Sequence, residues 1–124
     1  MGNPNKAKGT RAESKVVKYL TNNGIKARRQ ALAGSDDQGD ILVETTEGDY
    51  IVEVKTGKQT AAPNRTQIME WCRQARVEAE NVGGLPVLIV VRYNRSIEDA
   101  DVYVPLVDAF RTHFYLEDWA KLIR

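Results

Sequence analysis

Cysteine and histidine are almost missing from this 124-residue sequence: Cys72 and His113 each stand alone. One thiol cannot close an internal disulfide, and one cysteine with one histidine cannot assemble a zinc cluster. A reducing, cytoplasmic compartment fits that usage. Any resident metal must be held by oxygen ligands, which points to Mg²⁺, with Mn²⁺ able to substitute. No apolar run approaches the roughly 20 residues a membrane span needs, and no signal-peptide pattern is legible. Neither a membrane nor a small-molecule cofactor is expected as a partner. The length suits a single domain over 1–124, with the polar residues 1–9 (MGNPNKAKG) expected to be a flexible basic arm.

Net charge is also nearly absent, at +1, but the charges are unevenly placed. Residues 1–30 carry eight Lys and Arg against the single acid Glu13, whereas residues 31–60 carry seven acids against Lys55 and Lys58. A basic first quarter beside an acidic second quarter suits a chain that neutralises phosphates and also holds a cation. A solvated basic helix accounts for the first half of that pattern equally well.

Periodicity predicts a helix over 10–23, with Thr10 as N-cap, Val16, Val17 and Leu20 as its apolar stripe and Asn23-Gly24 as its end. Strands follow near 25–32, 40–45 and 50–55, the last two forming a hairpin about Glu47-Gly48. A second helix, near 64–82, places Ile68, Trp71, Cys72, Ala75, Ala79 and Val82 on one face and stops at Gly83-Gly84. Pro86–Val91 is apolar on both faces, as in a covered central strand. A short strand at Val102–Val104 and a helix near 107–123 complete the chain. The order α-β-β-β-α-β-β-α implies an α/β architecture, a mixed central sheet flanked by helices.

The chemistry-bearing residues are Glu13, Asp40, Glu53 and Lys55. Side chains two apart on a strand share a face, so Glu53 and Lys55 point together and Val52 and Val54 point away. With Thr46 opposite Asp49, Lys55 lies opposite Asp40, and Glu53 is the diagonal neighbour of Asp40. Such partners sit roughly 5 Å and about 7–8 Å apart, a workable cage for a hydrated divalent cation beside a lysine. Phosphodiester hydrolysis needs a water made nucleophilic at neutral pH and a sink for the charge on the departing oxygen, and a carboxylate-bound metal supplies both. Lys55 can orient that water or steady the phosphate, its charge maintained by the neighbouring acids. Each residue also has a plain reading. Glu-x-Lys on a strand is commonly a solvated face, and Asp40 after Gly39 can simply start a strand. Thr10-Arg11-Ala12-Glu13 matches a capping box, so capping and metal binding both stay open for Glu13.

Gly39-Asp40-Ile41 followed by Val52-Glu53-Val54-Lys55 resembles the PD-(D/E)xK nuclease signature, with glycine where the signature has proline. The context resembles archaeal and phage Holliday-junction resolvases: Lys8, Gly9 and Glu13 in the first helix, then Arg28 and Arg29 on a strand. Gly34-Ser35 in a loop and Gln67 at the start of the second helix continue the match. The resemblance spans roughly residues 8–95 and implies a restriction-endonuclease-like fold. It implies a metal set of Glu13, Asp40, Glu53 and Val54, with Lys55 as catalytic lysine and Ser35 in the active-site loop. Asp36 and Asp37 are candidates to replace or assist a ligand. Lys8, Arg11, Lys15, Arg28, Arg29, Lys58 and Gln67 would then meet DNA. The implied activity is metal-dependent resolution of four-way DNA junctions, in recombination and repair, by a homodimer whose two sites make paired nicks. The alternatives are the same chemistry on flaps, nicks or duplex, and a DNA-binding module without catalysis. Trp71 and Cys72 read as core, and His113 as a packed or surface residue among aromatics. Arg73 and Arg76 read either as phosphate contacts or as a solvated helix face, and Tyr93 and Arg95 as weak candidates at a strand end.

Overall fold

Alternating apolar residues in the middle of the chain build a six-stranded sheet, and amphipathic helices cover both of its faces. The computed structural model describes residues 4–30, 40–105 and 113–124, with side chains from residue 9 onward. Helix α1, Pro4–Asn22, leads into β1, Lys26–Arg29, β2, Ile41–Thr45, and β3, Gly48–Lys55. A 3-10 turn, Lys58–Thr60, precedes α2, Arg65–Val82, and β4, Leu85–Val90. A second such turn, Ile97–Asp99, precedes β5, Asp101–Tyr103, β6, His113–Tyr115, and α3, Leu116–Ile123.

The strands lie side by side in chain order, β1 to β6. All neighbours are antiparallel except β3 and β4, which run parallel and are joined by the α2 crossover. One face packs Ile41, Val43, Val52, Val54, Val87, Ile89 and Val102 against Val16 and Leu20 of α1 and Leu116 and Trp119 of α3. Trp119 also meets the Tyr50 ring edge-on at 5.5 Å. The other face packs Leu88, Val90 and Tyr103 against Ile68, Trp71, Cys72 and Ala75 of α2. Each buried aliphatic side chain of this kind contributes about 1.5–3 kcal/mol. Trp71 and Cys72 are core residues, and burial pushes the Cys72 thiol up to about 11.

Several expectations are corrected. The helix expected to start at Thr10 starts at Pro4, so residues 4–9 are helical and not a flexible arm. Proline suits the first helical position because its missing N–H would be unpaired there in any case. Thr10 is therefore an interior residue of α1 and caps nothing, which removes the capping-box reading of Glu13. The hairpin turns on Thr46-Glu47, closed by the Thr45–Gly48 pair. The Thr45 hydroxyl donates to the Gly48 carbonyl at 2.7 Å and accepts the Glu47 N–H at 3.2 Å. Gly48 adopts φ 136, which favours glycine. The register consequently pairs Ile41 with Val52, two residues from the expected alignment. A shift of two keeps every side chain on its expected face.

At the other end, the helix expected over 107–123 is only Leu116–Ile123, preceded by the short strand β6; residues 106–112 lie outside the described residues. His113-Phe114-Tyr115 alternates exposed, half-buried, exposed, as a strand at a sheet edge does. Val82, expected on the buried face of α2, is the last residue of that helix and is 40% exposed. Asn64 caps α2 by accepting the Gln67 N–H at 2.8 Å, and Gly83 ends it in the left-handed region. Gly84 approaches β3 so closely that an added Cβ would lie 2.5 Å from Ile51 Cγ1.

Candidate active site

Asp40 stands one residue before β2 and is tied to β3 at two points. Its N–H donates to the Val52 carbonyl at 2.9 Å, and its Oδ2 accepts the Val54 N–H at 2.8 Å. The carboxyl is thereby fixed beside Glu53, and the two groups share a side-chain hydrogen bond. Asp40 is thus the immediate neighbour of Glu53, where the expected register made them diagonal. Glu53 is 7% exposed. Its Oε1 lies 3.4 Å from Lys55 Nζ, so the ammonium is held on the same face of β3.

Glu13 enters from α1, whose Ala12 and Val16 share a core with Val52 and Val54. It hydrogen-bonds the Asp40 side chain, and its Oε2 lies 3.6 Å from Arg29 Nη2. Burial is the main force raising the pKa of Asp40, followed by repulsion from Glu53; together with Glu13 they push it to about 8. Burial likewise raises Glu13, partly offset by Arg29. Three acids thus crowd one polar pocket, with Arg29 and Lys55 at its two ends.

Among the described residues no three acidic, cysteine or histidine side chains are already drawn into a metal cage. The acids meet pairwise about Asp40 instead. That arrangement fits a small hard cation, which takes one or two direct carboxylates and keeps its waters. The donor set is entirely oxygen, and the strain recorded by the raised Asp40 is the kind a divalent cation relieves.

The remaining candidates scatter. Arg28 Nε faces Glu44 at 3.8 Å, which Lys26 also approaches at 3.6 Å, so Arg28 points away from the acids. Arg11, Lys15, Lys58 and Gln67 are exposed, on α1, the first 3-10 turn and the first turn of α2. Lys8 lies in α1 but outside the residues whose side chains are described; Ser35, Gly34, Asp36 and Asp37 fall outside the described residues altogether. Arg73 is a solvated partner of Glu70, at 2.6 Å.

One polar cluster was not anticipated from the sequence. Asp101, 4% exposed, binds the Arg92 guanidinium through Nε and His113 Nε2 at 2.8 Å. The His113 ring stacks on Tyr103 at 4.8 Å. Arg92 and His113 are nine and twelve positions from Asp101, a spacing with no helical or strand meaning. Only a charged residue between the apolar Ala100 and Val102 hinted at it.

The fold is similar to that of Hjc, a Holliday junction resolvase from the archaeal hyperthermophile Archaeoglobus fulgidus, whose structure is known at 1.6 Å resolution. The two superpose with a TM-score of 0.58 at 20% identity, over 86% of this chain and 85% of that one. The class is therefore a restriction-endonuclease-like α/β fold. Over residues 4–118 the sequence matches the family described as phage putative PDDEXK endonuclease, and the chain belongs to that family. No curated protein matches it.

Proposed function

We propose that this chain is a divalent-metal-dependent DNA endonuclease that resolves four-way junctions by paired nicks, acting as a homodimer with Mg²⁺ as its usual metal. The observation that carries the chemistry is the convergence of Asp40, Glu53 and Lys55 on one face of two paired strands, with Glu13 brought in by α1. Likeness to a junction resolvase in fold supports the choice of substrate. Endonuclease family membership supports the reaction.

In this reading Asp40 and Glu53 hold the cation and Glu13 completes its surroundings. The bound metal supplies a water of lowered pKa and stabilises charge on the phosphate. Val54 contributes through its backbone. Its N–H orients Asp40, its side chain is core, and only its carbonyl is left as a metal ligand. Lys55, steadied by Glu53, offers its ammonium to the phosphate oxygens or the attacking water. Arg29 holds Glu13 in place, which makes it a positioning residue.

The test is a panel of labelled substrates: a four-way junction, a flap, a nicked duplex and linear DNA, each with Mg²⁺, with Mn²⁺ and with chelator. Symmetric nicks in the junction, sparing linear duplex and abolished by chelation, are expected. Preferential cutting of flaps, nicks or duplex would reassign the substrate. Binding without cleavage of any member would leave a DNA-binding module.

A further inference from the structure

We infer that the loop after β4 forms, with α1, a second anchoring groove for the DNA backbone beside the active site. Arg92 and Arg95 of the loop and Arg11 and Lys15 of α1 grip phosphates there, and Asp101 and His113 act as positioning residues for Arg92. The inference deepens the nuclease reading and rests on it for the identity of the polyanion.

The groove has a volume of about 430 Å³ on its outer side and 420 Å³ on its inner side, two clefts divided by Arg92, Tyr93 and Arg95. The inner cleft is walled by Arg11, Lys15, Thr56, Gly57, Arg92 and Arg95, four cations with no acid among the described residues that line it. In a chain of net charge +1, that concentration of one sign marks a surface that attracts anions. The outer cleft includes Asp99, Asp101 and Glu117 and repels them. Phosphate therefore belongs on the inner side.

The inner cleft also adjoins the chemistry. Thr56 and Gly57 directly follow Lys55, and the Val91 N–H that begins the loop donates to the Lys55 carbonyl at 2.8 Å. The Thr60 hydroxyl fastens the same residue from the other side, 2.9 Å from the Val91 carbonyl. Arg95 N–H closes the turn on the Arg92 carbonyl at 3.1 Å, around Asn94 at φ 59. On α1, positions 11 and 15 share one flank of the helix and Glu13 lies on the other, with Ala12 and Val16 buried between them. A strand whose phosphate meets Lys55 would reach this flank past Thr56 and Gly57, which line the same cleft.

Arg92 is prepared for such a contact. Asp101, buried in β5, takes its Nε, and among the described residues no partner is seen on the two terminal nitrogens, which suit the paired bonds that a phosphate accepts. His113 holds the second oxygen of Asp101 and is itself fixed by its stack on Tyr103. The exposed Tyr93 ring at the cleft mouth gives an unpaired base a surface to stack on.

Binding of a labelled four-way junction, followed by anisotropy in chelator across a salt series, tests the groove apart from catalysis. Arg95 is exposed, so Arg95→Ala should fold normally, weaken binding severalfold and lower the slope of log affinity against log salt by about one. Arg92→Ala with Arg95→Ala should lower it by about two. Lys121→Ala, which removes one exposed charge from α3, serves as control and should leave the slope unchanged. Wild-type affinity and slope in Arg95→Ala and in the double variant would overturn the groove, as would an equal effect of the control. Asp101→Asn should weaken binding in the parent but add nothing in an Arg92→Ala background; additive losses would overturn the positioning role. His113→Phe keeps the stack, removes the bond and runs the same cycle if Asp101→Asn does not fold. A groove confirmed in a protein that cuts no substrate would overturn the nuclease reading alone. Unchanged binding in variants of a protein that resolves junctions would overturn the groove alone.

Discussion

The Asp40 carboxylate accepts the backbone N–H of Val54 at 2.8 Å, so the residue before β2 is fixed by the strand that carries Glu53 and Lys55. Asp40 does by side chain what the next ladder carbonyl would otherwise do. Its position is therefore tied to the main chain of β3 as well as to the side chains of Glu53 and Glu13.

Asp40→Asn, Glu53→Gln and Lys55→Ala should each leave junction binding within a fewfold of wild type. The two acid variants should cut no faster than wild type in chelator, and Lys55→Ala should lose at least about 10²-fold. Single-turnover cleavage beside anisotropy on the same DNA checks this. Wild-type rates in any of the three would remove that residue from the chemistry.

The pH dependence of metal-free stability follows from the raised pKa of Asp40, from an ordinary 3.8 to about 8. Between those values the folded state holds a proton that the unfolded state has released, so stability falls as pH rises through the window. Without metal, wild type should melt at a higher temperature at pH 5 than at pH 8. Divalent cation should recover the loss at pH 8, and Asp40→Asn should flatten the difference. Thermal melts in chelator and in Mg²⁺ test both; a wild-type melting point that rises from pH 5 to pH 8 in chelator would contradict it.

Thr10→Ala should be neutral or slightly stabilising in urea unfolding. Thr10 is interior to α1, where alanine is the better helix former by about half a kcal/mol. A loss of about 1 kcal/mol, the usual cost of removing a cap, would restore the helix start at residue 10.

Cys72 should resist thiol reagents at pH 8 in the folded protein and react at once in denaturant, since it is fully buried and its thiol is pushed up to about 11. Rapid labelling of native protein would refute its place beneath α2.

Element types, the face shared by Glu53 and Lys55 and the apolar strand beneath α2 were legible because each rests on local periodicity. The hairpin register was misplaced because Thr45 and Gly48 close the turn one residue earlier on each side, a side-chain hydrogen bond that pattern reading overlooks. Its parity survived because the error was two residues. Glu13 looked like a cap only while α1 was taken to begin at Thr10. Pro4, within the stretch expected to be a flexible arm, opens that helix. The assembly of Arg92, Asp101 and His113 was illegible because it joins three strand ends across β4, β5 and β6, and no sequence spacing encodes lateral adjacency. β6 itself was absorbed into a helix because three residues are too few to express a period.

Neighbouring strands in this sheet are also neighbours in the chain, so all but one of the pairings close across modest stretches of sequence. Only the parallel β3–β4 pair waits for a whole helix to cross over. Asp40 and Glu53 therefore meet through a short hairpin closure, which costs little chain entropy and can occur early in folding. The loop beside Lys55 has no place to rest until β4 arrives. Asp40 and Glu53 need only that local turn to meet, whereas the loop carrying Arg92 and Arg95 reaches them through the longest connection between paired strands among the described elements.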